Sequence, residues 1–300
     1  MTLALGVDIG GSRLRVALVT ATGQIIARAE TATAAEAGPE AVIAQIRALA
    51  GTVRPEAGSV PIAGAGVSCP GPLDTTKGHA LGVPTLRGWV NIPIAKMIGE
   101  ALNLSVVLEN DGIAAAHGEW RFGAGRGQGS LVFITVSTGI GGGVVLDNRL
   151  VHGRKGMAGH VGHMVIVADG APCPCGNRGC FEAYASGTAF AARIRATDAD
   201  ASPADIFARA RSGDEKALSL VAEEADWLGL GLVSLLHLYS PDVIVVGGGV
   251  SNGLDLLLPG IRGRIGKGAM PAFRDVPVVR AGLGENAGLV GAAALVLPAA

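Results

Sequence analysis

The sequence predicts an α/β protein built from two similar halves. Apolar stretches with strand character alternate with amphipathic helical stretches, which is typical of α/β architecture. A unit of strand, glycine-rich turn, strand, tight turn and strand occurs at the start of the chain and again after residue 130. Repetition of such a unit at long period indicates an internal duplication. A length of 300 residues suits two domains of about 150 residues each.

The first half begins with three predicted strands, at residues 3–8, 14–20 and 25–30, separated by turns that contain glycine. The apolar spacing then predicts a helix over 40–49, a strand over 62–68, a helix over 94–102, a strand over 106–108 and a helix over 112–122.

The second half repeats the opening unit with strands at 131–136 and 141–146 and a third that starts at 150. Ser212 and Glu215 have the spacing of a capping box, which predicts the start of a long helix that ends before Pro241. A strand follows at 243–246, and Asn286 is placed to cap a last helix through residue 295. Residues 197–203 form the most loop-like stretch.

Composition narrows the classes of function. Apolar residues make up 49% of the chain and charged residues 16%, so a sizeable core is expected. A net charge of −1 lacks the basic footprint of a nucleic-acid-binding protein. The chain contains no apolar run long enough to cross a membrane, and its first residues lack signal-peptide features. We therefore expect a cytoplasmic protein that binds neither nucleic acid nor membranes.

Three glycine-rich turns follow predicted strands and could contact phosphate groups. In the first, Asp8 precedes Gly10 and Gly11, whose N–H groups can point at phosphate oxygens while the carboxylate holds Mg²⁺ directly or through water. The second spans residues 136–143, and the third spans 247–249. Neither of the first two is a Walker loop, because the terminal Gly-Lys-Ser/Thr is absent. A solvated Asp8 in a simple hairpin turn is the alternative interpretation.

Asn110 and Asp111 follow a predicted strand and precede a predicted helix. A carboxylate at this place can face a substrate, and phosphoryl transfer needs a carboxylate that accepts the proton of the attacking hydroxyl. Alternatively, Asp111 is only the N-cap of the helix.

A cluster of metal-binding residue types lies in the second half of the chain, where His163, Cys173, Cys175 and Cys180 fall within 18 residues. One histidine and three cysteines predict a tetrahedral zinc site with no open position, and hence a structural one. Free buried thiols are the alternative. Cys69 stands apart in an apolar strand and is interpreted as a small core residue.

Taken together, these motifs resemble the ROK family, which groups bacterial sugar kinases and related repressors. The resembling segments are DIGGS at 8–12, PGP at 70–72, END at 109–111, TVSTGIGGG at 135–143, GHVGH at 159–163, CPCGNRGCFE at 173–182 and VVGGGVS at 245–251. The resemblance implies an actin-like ATPase (ribonuclease H-like) fold, with the active site in a cleft between two α/β domains. Residues 1–113 and a C-terminal helix at about 287–300 would form the first domain, and residues 114–286 the second, which carries the zinc loop.

The resemblance also implies roles for single residues. Asp111 would be the catalytic base; Asn110, His163 and Glu182 would contact the sugar, with Asn91 as a further candidate. The residues expected to line the phosphates are Gly10, Gly11, Ser12, Thr138 and Gly139, with Gly248 near the adenosine. Zinc would be bound by His163, Cys173, Cys175 and Cys180. Such kinases use ATP and Mg²⁺, phosphorylate hexoses, commonly on the 6-hydroxyl, and are usually homodimers.

Two positions depart from the family pattern. Ser12 stands where the family usually has Thr, and it keeps the hydroxyl. His160 stands where ROK glucokinases usually have Glu; a neutral imidazole can donate to an acetamido carbonyl, which a carboxylate cannot do. GHVGH and the stretch 205–220 resemble bacterial N-acetylmannosamine kinases. Alternatively, His160 only packs beside the zinc loop.

The leading expectation is an ATP-dependent kinase for the 6-hydroxyl of N-acetylmannosamine, with a glucokinase or another ROK hexose or N-acetylhexosamine kinase as the alternative. A sugar-responsive repressor is disfavoured because such proteins carry a helix-turn-helix before the first strand, whereas the glycine turn here begins at residue 10. A Rossmann oxidoreductase is disfavoured because its glycine fingerprint opens a helix, whereas DIGGSRLR opens a second strand.

Overall fold

The computed structural model describes residues 2–298 and contains two five-stranded sheets and one two-stranded sheet. The strands are β1 (Leu3–Ile9), β2 (Arg13–Thr20), β3 (Ile25–Ala32), β4 (Ile62–Cys69), β5 (Leu73–Asp74), β6 (His79–Ala80), β7 (Val106–Asn110), β8 (Leu131–Val136), β9 (Ile140–Leu146), β10 (Arg149–Leu150), β11 (Val243–Gly247) and β12 (Val278–Arg280). The α-helices are α1 (Pro39–Val53), α2 (Ile94–Leu102), α3 (Asp111–Phe122), α4 (Glu182–Ala185), α5 (Gly187–Thr197), α6 (Pro203–Arg211), α7 (Glu215–Tyr239), α8 (Leu254–Gly268) and α9 (Ala287–Ala294). Residue 1 and residues 299–300, which belong to the first predicted domain, lie outside the described range.

The two large sheets share one topology. Their strand orders are β3-β2-β1-β4-β7 and β10-β9-β8-β11-β12. In both, the opening strand pairs antiparallel with the next strand in sequence and parallel with a later strand on its other side. The outermost later strand is again parallel to its neighbour. The internal duplication and the α/β class predicted from the sequence are therefore confirmed.

Each large sheet has its own hydrophobic core. In the first half, Leu5 of β1 packs in one cluster with Ile46 of α1 and Ile98 of α2, and all three side chains are fully buried. In the second half, a separate cluster combines residues of β8 and β11 with residues of α5 to α8. Because burial of apolar surface stabilises each cluster on its own, these cores support the proposed division of the chain near residue 113.

Helices α3 and α9 join the two halves. They pack closely on one another, because Gly118 and Gly291 face each other and a side chain at Gly118 would lie 3.0 Å from the Gly291 nitrogen. On its other sides, α3 packs on β8 and β9, whereas α9 packs on β1, β2 and β4. The last helix thus returns to the first sheet, which supports its proposed assignment to the first domain.

The predicted start of the long helix is wrong by two residues. Helix α7 is capped by Asp214, whose carboxylate accepts the Ala217 N–H at 2.9 Å, whereas Ser212 lies at the end of α6. The capping box of this region is formed instead by Ser202 and Asp205 at the start of α6. The loop predicted at 197–203 is the short connection between α5 and α6.

Asn286 precedes α9 but does not cap it. A turn of 3₁₀ helix at Gly284–Asn286 leads directly into α9 and keeps the Asn286 backbone near the helical region. Its side-chain oxygen accepts instead from Arg28 Nη1 at 2.8 Å. Among the described residues, none of the helices combines the length and apolar character that crossing a membrane requires.

Candidate active site

A cavity of about 470 Å³ opens between the two large sheets. Its walls come from the ends of β1 and β11, the start of α3 and the segment between β12 and α9. The lining residues include Asp8, Gly10, Arg15, Asp111, Ser137, Gly247, Gly248, Gly249, Asn252, Arg280, Gly284, Glu285 and Gly288. Four residues that the sequence assigned to the site, Asp8, Gly10, Asp111 and Gly248, are therefore brought together from both halves.

Asp111 is the first residue of α3 and lines this cavity. The N-cap of the helix is Asn110, whose side-chain oxygen accepts the Gly112 N–H at 3.0 Å. The interpretation of Asp111 as the N-cap is therefore wrong. The Asp111 Oδ1 also accepts the Gly112 N–H, at 2.8 Å, while the residue lines the cavity and can act there on a bound molecule.

The surroundings of Asp111 favour its neutral form more than water does. The protein around the carboxyl limits its hydration and raises its pKa to about 6, and the negative charge of Asp8 contributes to the rise. Hydrogen bonds from Gly112 and Asn110 act in the opposite direction. A carboxyl group with this pKa is mostly ionised at neutral pH and accepts protons readily, which suits a general base.

Asp8, at the end of β1, is held by two side chains. Arg15 Nη2 donates to Asp8 Oδ2 at 2.6 Å, and Ser68 Oγ donates to Asp8 Oδ1 at 2.8 Å. Sequence reasoning missed Arg15; its only signal was a charged residue between the apolar Leu14 and Val16 of β2. Direct coordination of Mg²⁺ by Asp8 Oδ2 would compete with the hydrogen bond from Arg15. Each carboxylate oxygen keeps a lone pair that can accept from a water molecule, so Asp8 fits Mg²⁺ that is held through water.

In the β1–β2 turn, the backbone of Gly10 is already hydrogen-bonded to other residues of the protein. The Gly10 N–H donates to the Arg13 carbonyl at 2.9 Å, and the Gly10 carbonyl accepts from Thr33 Oγ1 at 2.7 Å. The Gly10 N–H is therefore engaged within the turn, which leaves Gly11 and the exposed Ser12 as the donors that could reach a phosphate.

The glycine turn after β11 brings two strands close together. Gly248 has a φ of 81°, and a side chain there would overlap the backbone of Val136 in β8. Thr138 and Gly139 lie in the neighbouring β8–β9 turn, and the Thr138 carbonyl accepts from Thr188 Oγ1 at 2.8 Å. Ser137 lines the cavity, so this turn lies beside it.

Asn110 and His160 face the same space beside Gly71. A Cβ atom built on Gly71 would lie 3.4 Å from Asn110 Nδ2 and 3.8 Å from His160 Cε1. The ring of His160 lies 6.3 Å, centroid to centroid, from that of His163. Partial burial and the neighbouring His163 lower the pKa of His160, so its imidazole is neutral at neutral pH and can donate as well as accept.

The predicted metal ligands form one cluster. The ligand atoms of His163, Cys173, Cys175 and Cys180 all lie within 4.8 Å of one another. Cys175 Sγ is 3.7 Å from Cys180 Sγ, and Cys173 Sγ is 3.7 Å from His163 Nδ1. Tetrahedral zinc–thiolate bonds of about 2.3 Å separate the ligand atoms by about 3.5–3.8 Å, so this donor set fits zinc. Because His163 Nδ1 faces the cysteines, Nε2 remains for another partner.

Glu182 links this cluster to the β8–β9 turn. Its Oε2 accepts the Ile140 N–H at 2.8 Å, and its Oε1 lies 3.9 Å from Cys173 Sγ. Asn91 is exposed and has a φ of 52°. Like Asn110, His160, His163 and Glu182, it is absent from the cavity lining. Cys69 is fully buried at the end of β4, as expected for a core residue.

The fold and the cleft between its two sheets place the protein among the actin-like ATPases. The chain belongs to the ROK family, whose sequence model matches residues 4–299. This match confirms the predicted family, and relatives that are sugar kinases and share the fold confirm the predicted enzyme class and fold.

Relatives of known activity cover almost the whole chain. A glucokinase from Thermotoga maritima is 33% identical over an alignment of 308 positions, which covers 97% of this chain and 96% of the relative. An N-acetylmannosamine kinase from Escherichia coli O157:H7 is 37% identical over 293 residues, 97% of each chain. The crystal structure of a ROK family glucokinase from Streptomyces griseus, in complex with glucose and AMPPNP, is 35% identical, covers 98% of both chains and has a TM-score of 0.83.

Proposed function

We propose that this sugar kinase transfers the γ-phosphoryl group of ATP to the 6-hydroxyl of N-acetylmannosamine. The proposal is carried by His160, a neutral imidazole that shares the space beside Gly71 with Asn110. A ring that can donate a hydrogen bond suits the acetamido carbonyl, which only accepts. The 37% identity with the Escherichia coli N-acetylmannosamine kinase supports this assignment.

Asp111 acts as the general base. The sugar hydroxyl gives its proton to the Asp111 carboxylate while its oxygen attacks the γ-phosphorus, and the bond from that phosphorus to the β–γ bridging oxygen breaks as ADP leaves. The base and the candidate phosphate-binding residues Asp8 and Gly248 line one cavity, which supports in-line transfer within it. The complex of the Streptomyces griseus relative with AMPPNP supports ATP as the donor.

Asp8 is our candidate for holding Mg²⁺, which would neutralise charge on the ATP phosphates when bound. Arg15 holds the Asp8 carboxylate at the cavity through its hydrogen bond of 2.6 Å. Ser68 holds the other carboxylate oxygen and so limits rotation of the side chain.

The His163, Cys173, Cys175 and Cys180 cluster is our candidate for a structural zinc site. With all four positions occupied by protein, zinc would supply rigidity to the loop and no chemistry. The loop sets the position of His163, whose Nε2 is available to the sugar, and contacts Glu182 through Cys173. The expected homodimer is a proposal that rests on the family resemblance, and the expected cytoplasmic location is a proposal that rests on the amino-acid sequence.

A glucokinase is the second candidate, because relatives with that activity are 33% and 35% identical to the chain. The deciding experiment measures kcat/KM by coupled ADP release with N-acetylmannosamine, N-acetylglucosamine, mannose and glucose. We expect N-acetylmannosamine to be preferred. Equal or better use of glucose would refute the proposed substrate and favour the glucokinase.

A further inference from the structure

Glu119 lies in the second half of α3 and is fully buried. Among the described residues it forms no salt bridge, and its carboxylate accepts three backbone N–H groups instead. Oε2 accepts from Ala124 at 2.8 Å and Gly282 at 2.9 Å, and Oε1 accepts from Leu283 at 2.8 Å. A buried charge without such partners would be strongly unfavourable, so the three bonds explain how a carboxylate is tolerated here.

The three N–H groups belong to two segments that meet at Glu119. Ala124 follows α3, whereas Gly282 and Leu283 follow β12. The segments touch directly, because a side chain at Gly282 would lie 3.0 Å from the Ala124 nitrogen. A side chain at Gly123 would overlap the Glu119 carboxylate. The backbone around this carboxylate is therefore fitted to it.

The segment after β12 forms one wall of the cavity. Ala281, Gly284 and Glu285, which flank the two bonded residues, all line it, as does Gly248. Asp111, the proposed base, lies at the other end of α3 from Glu119. One helix thus carries the base at its start and an anchor for the cavity wall two turns later.

We infer that Glu119 is a positioning residue for the nucleotide: it fixes residues 281–285 to α3, so that the wall that contacts ATP and the base Asp111 keep one relative position. This inference rests on the proposed function, in which the cavity binds ATP. Both carboxylate oxygens are needed, since Oε1 and Oε2 each accept at least one N–H. Glutamine offers one acceptor oxygen, and its NH₂ group would face an N–H donor.

The test compares Glu119→Gln with the parent protein. Glu119→Gln removes hydrogen bonds to a charged group, and these bonds hold residues 281–285 in place. We therefore expect KM for ATP, and Kd for AMPPNP measured by calorimetry, to rise by about tenfold or more. KM for the sugar should stay within about twofold, because residues 281–285 are not among the residues proposed to contact the sugar. Glu119→Asp, which keeps the charge but is one methylene shorter, should show a smaller change in the same direction and serves if the Gln variant does not fold.

Glu224→Gln is the matched control. Glu224 is also fully buried, but it pairs with Arg193 in the second half of the protein, away from the cavity. The Glu224→Gln substitution should lower Tm and leave KM for ATP unchanged. A folded Glu119 variant with lower Tm, lower kcat and an unchanged Kd for AMPPNP would overturn the inference, because that result describes a purely structural residue. Failure of the parent itself to bind AMPPNP would overturn the proposed ATP donor and this inference with it.

Discussion

His152 Nε2 lies 3.0 Å from Glu109 Oε2, and this pair joins the two halves of the molecule. Glu109 lies in β7, one residue before the strand ends at Asn110, and its Oε1 accepts the Asn110 N–H at 2.8 Å. His152 follows β10 of the second sheet. The pair therefore links the relative position of the two halves to the position of Asn110, a residue proposed to bind the sugar.

We expect the contribution of this pair to stability to depend on pH. The hydrogen bond with Glu109 raises the pKa of His152. Stabilisation by the charged ring is thus fully present below the unfolded value of about 6.5 and is lost as the pH rises through the higher folded value. Since His152 is half exposed, the effect should be about 0.2–1 kcal/mol, or about 1–3 °C in Tm.

The measurement is the Tm difference between the parent and His152→Gln at pH 6 and pH 8.5. The difference should be larger at pH 6. In a Glu109→Gln background, the same His152 substitution should show little dependence on pH. A Tm difference that is equal at both pH values in the parent background would mean that the ion pair contributes nothing to stability.

Asp111→Asn should lower kcat by about 10²–10⁴-fold, the usual contribution of a general base, with sugar binding retained. It should also raise Tm at pH 7. The folded pKa of about 6 exceeds the usual value of 3.8, so the folded state favours the neutral form and ionisation at neutral pH destabilises it. Asp147→Asn, on the exposed β9–β10 turn, is the control and should change neither quantity appreciably. Turnover within a few-fold of the parent would show that Asp111 is not the base.

The same pKa fixes the pH profile of the parent enzyme. With the base ionising at about 6, kcat/KM should be level above that pH and fall about tenfold per unit below it. In Asp111→Asn this limb should disappear. A profile that remains level down to pH 4.5 would contradict the assignment of Asp111.

Cys175→Ser should reduce bound zinc and sugar phosphorylation together. In model peptides, structural zinc binding contributes about 10–16 kcal/mol, which is comparable to the stability of a whole domain, about 5–15 kcal/mol. Loss of one ligand should therefore disorder the loop that carries His163. Metal analysis should find one zinc per chain in the parent, and Cys69→Ala, a cysteine outside the cluster, should retain it. Parent protein with well under one zinc per chain would refute the site.

The sequence predicted those parts of the fold in which local pattern and tertiary structure agree. Helix α2 begins and ends as predicted, because its apolar residues recur at helical spacing and Asn103 ends it in a left-handed conformation. Helix α8 was not predicted, since Pro259 and several glycines interrupt its sequence. Its buried face on α7 outweighs their low helix propensity. Long-range packing of this kind leaves no local signal.

In the candidate site, too, some features could be predicted from the sequence and others could not. The members of the His163, Cys173, Cys175 and Cys180 cluster lie close in sequence, as do Asn110 and Asp111. Residue type and spacing were therefore enough to predict that each group lies together. The contacts of Arg15 with Asp8 and of Glu119 with Gly282 depend on how β2 and α3 pack against other elements. The partner of each charged residue became visible only in the folded structure.

The choice of sugar tests the role of His160. If its ring donates to an acetamido group, a sugar without that group leaves a buried polar atom unpaired, which can reduce kcat/KM by as much as about 10⁴–10⁵-fold in a closed site. Water can fill part of the space, so we expect a smaller but clear preference for N-acetylmannosamine over glucose. His160→Glu should shift the preference toward glucose, since a carboxylate accepts from hydroxyls and repels the acetyl oxygen. His160→Gln, which keeps a donor and an acceptor without charge, is the matched control and should largely keep the parent preference. Identical preferences in the parent and His160→Glu would show that other residues of the cleft select the sugar.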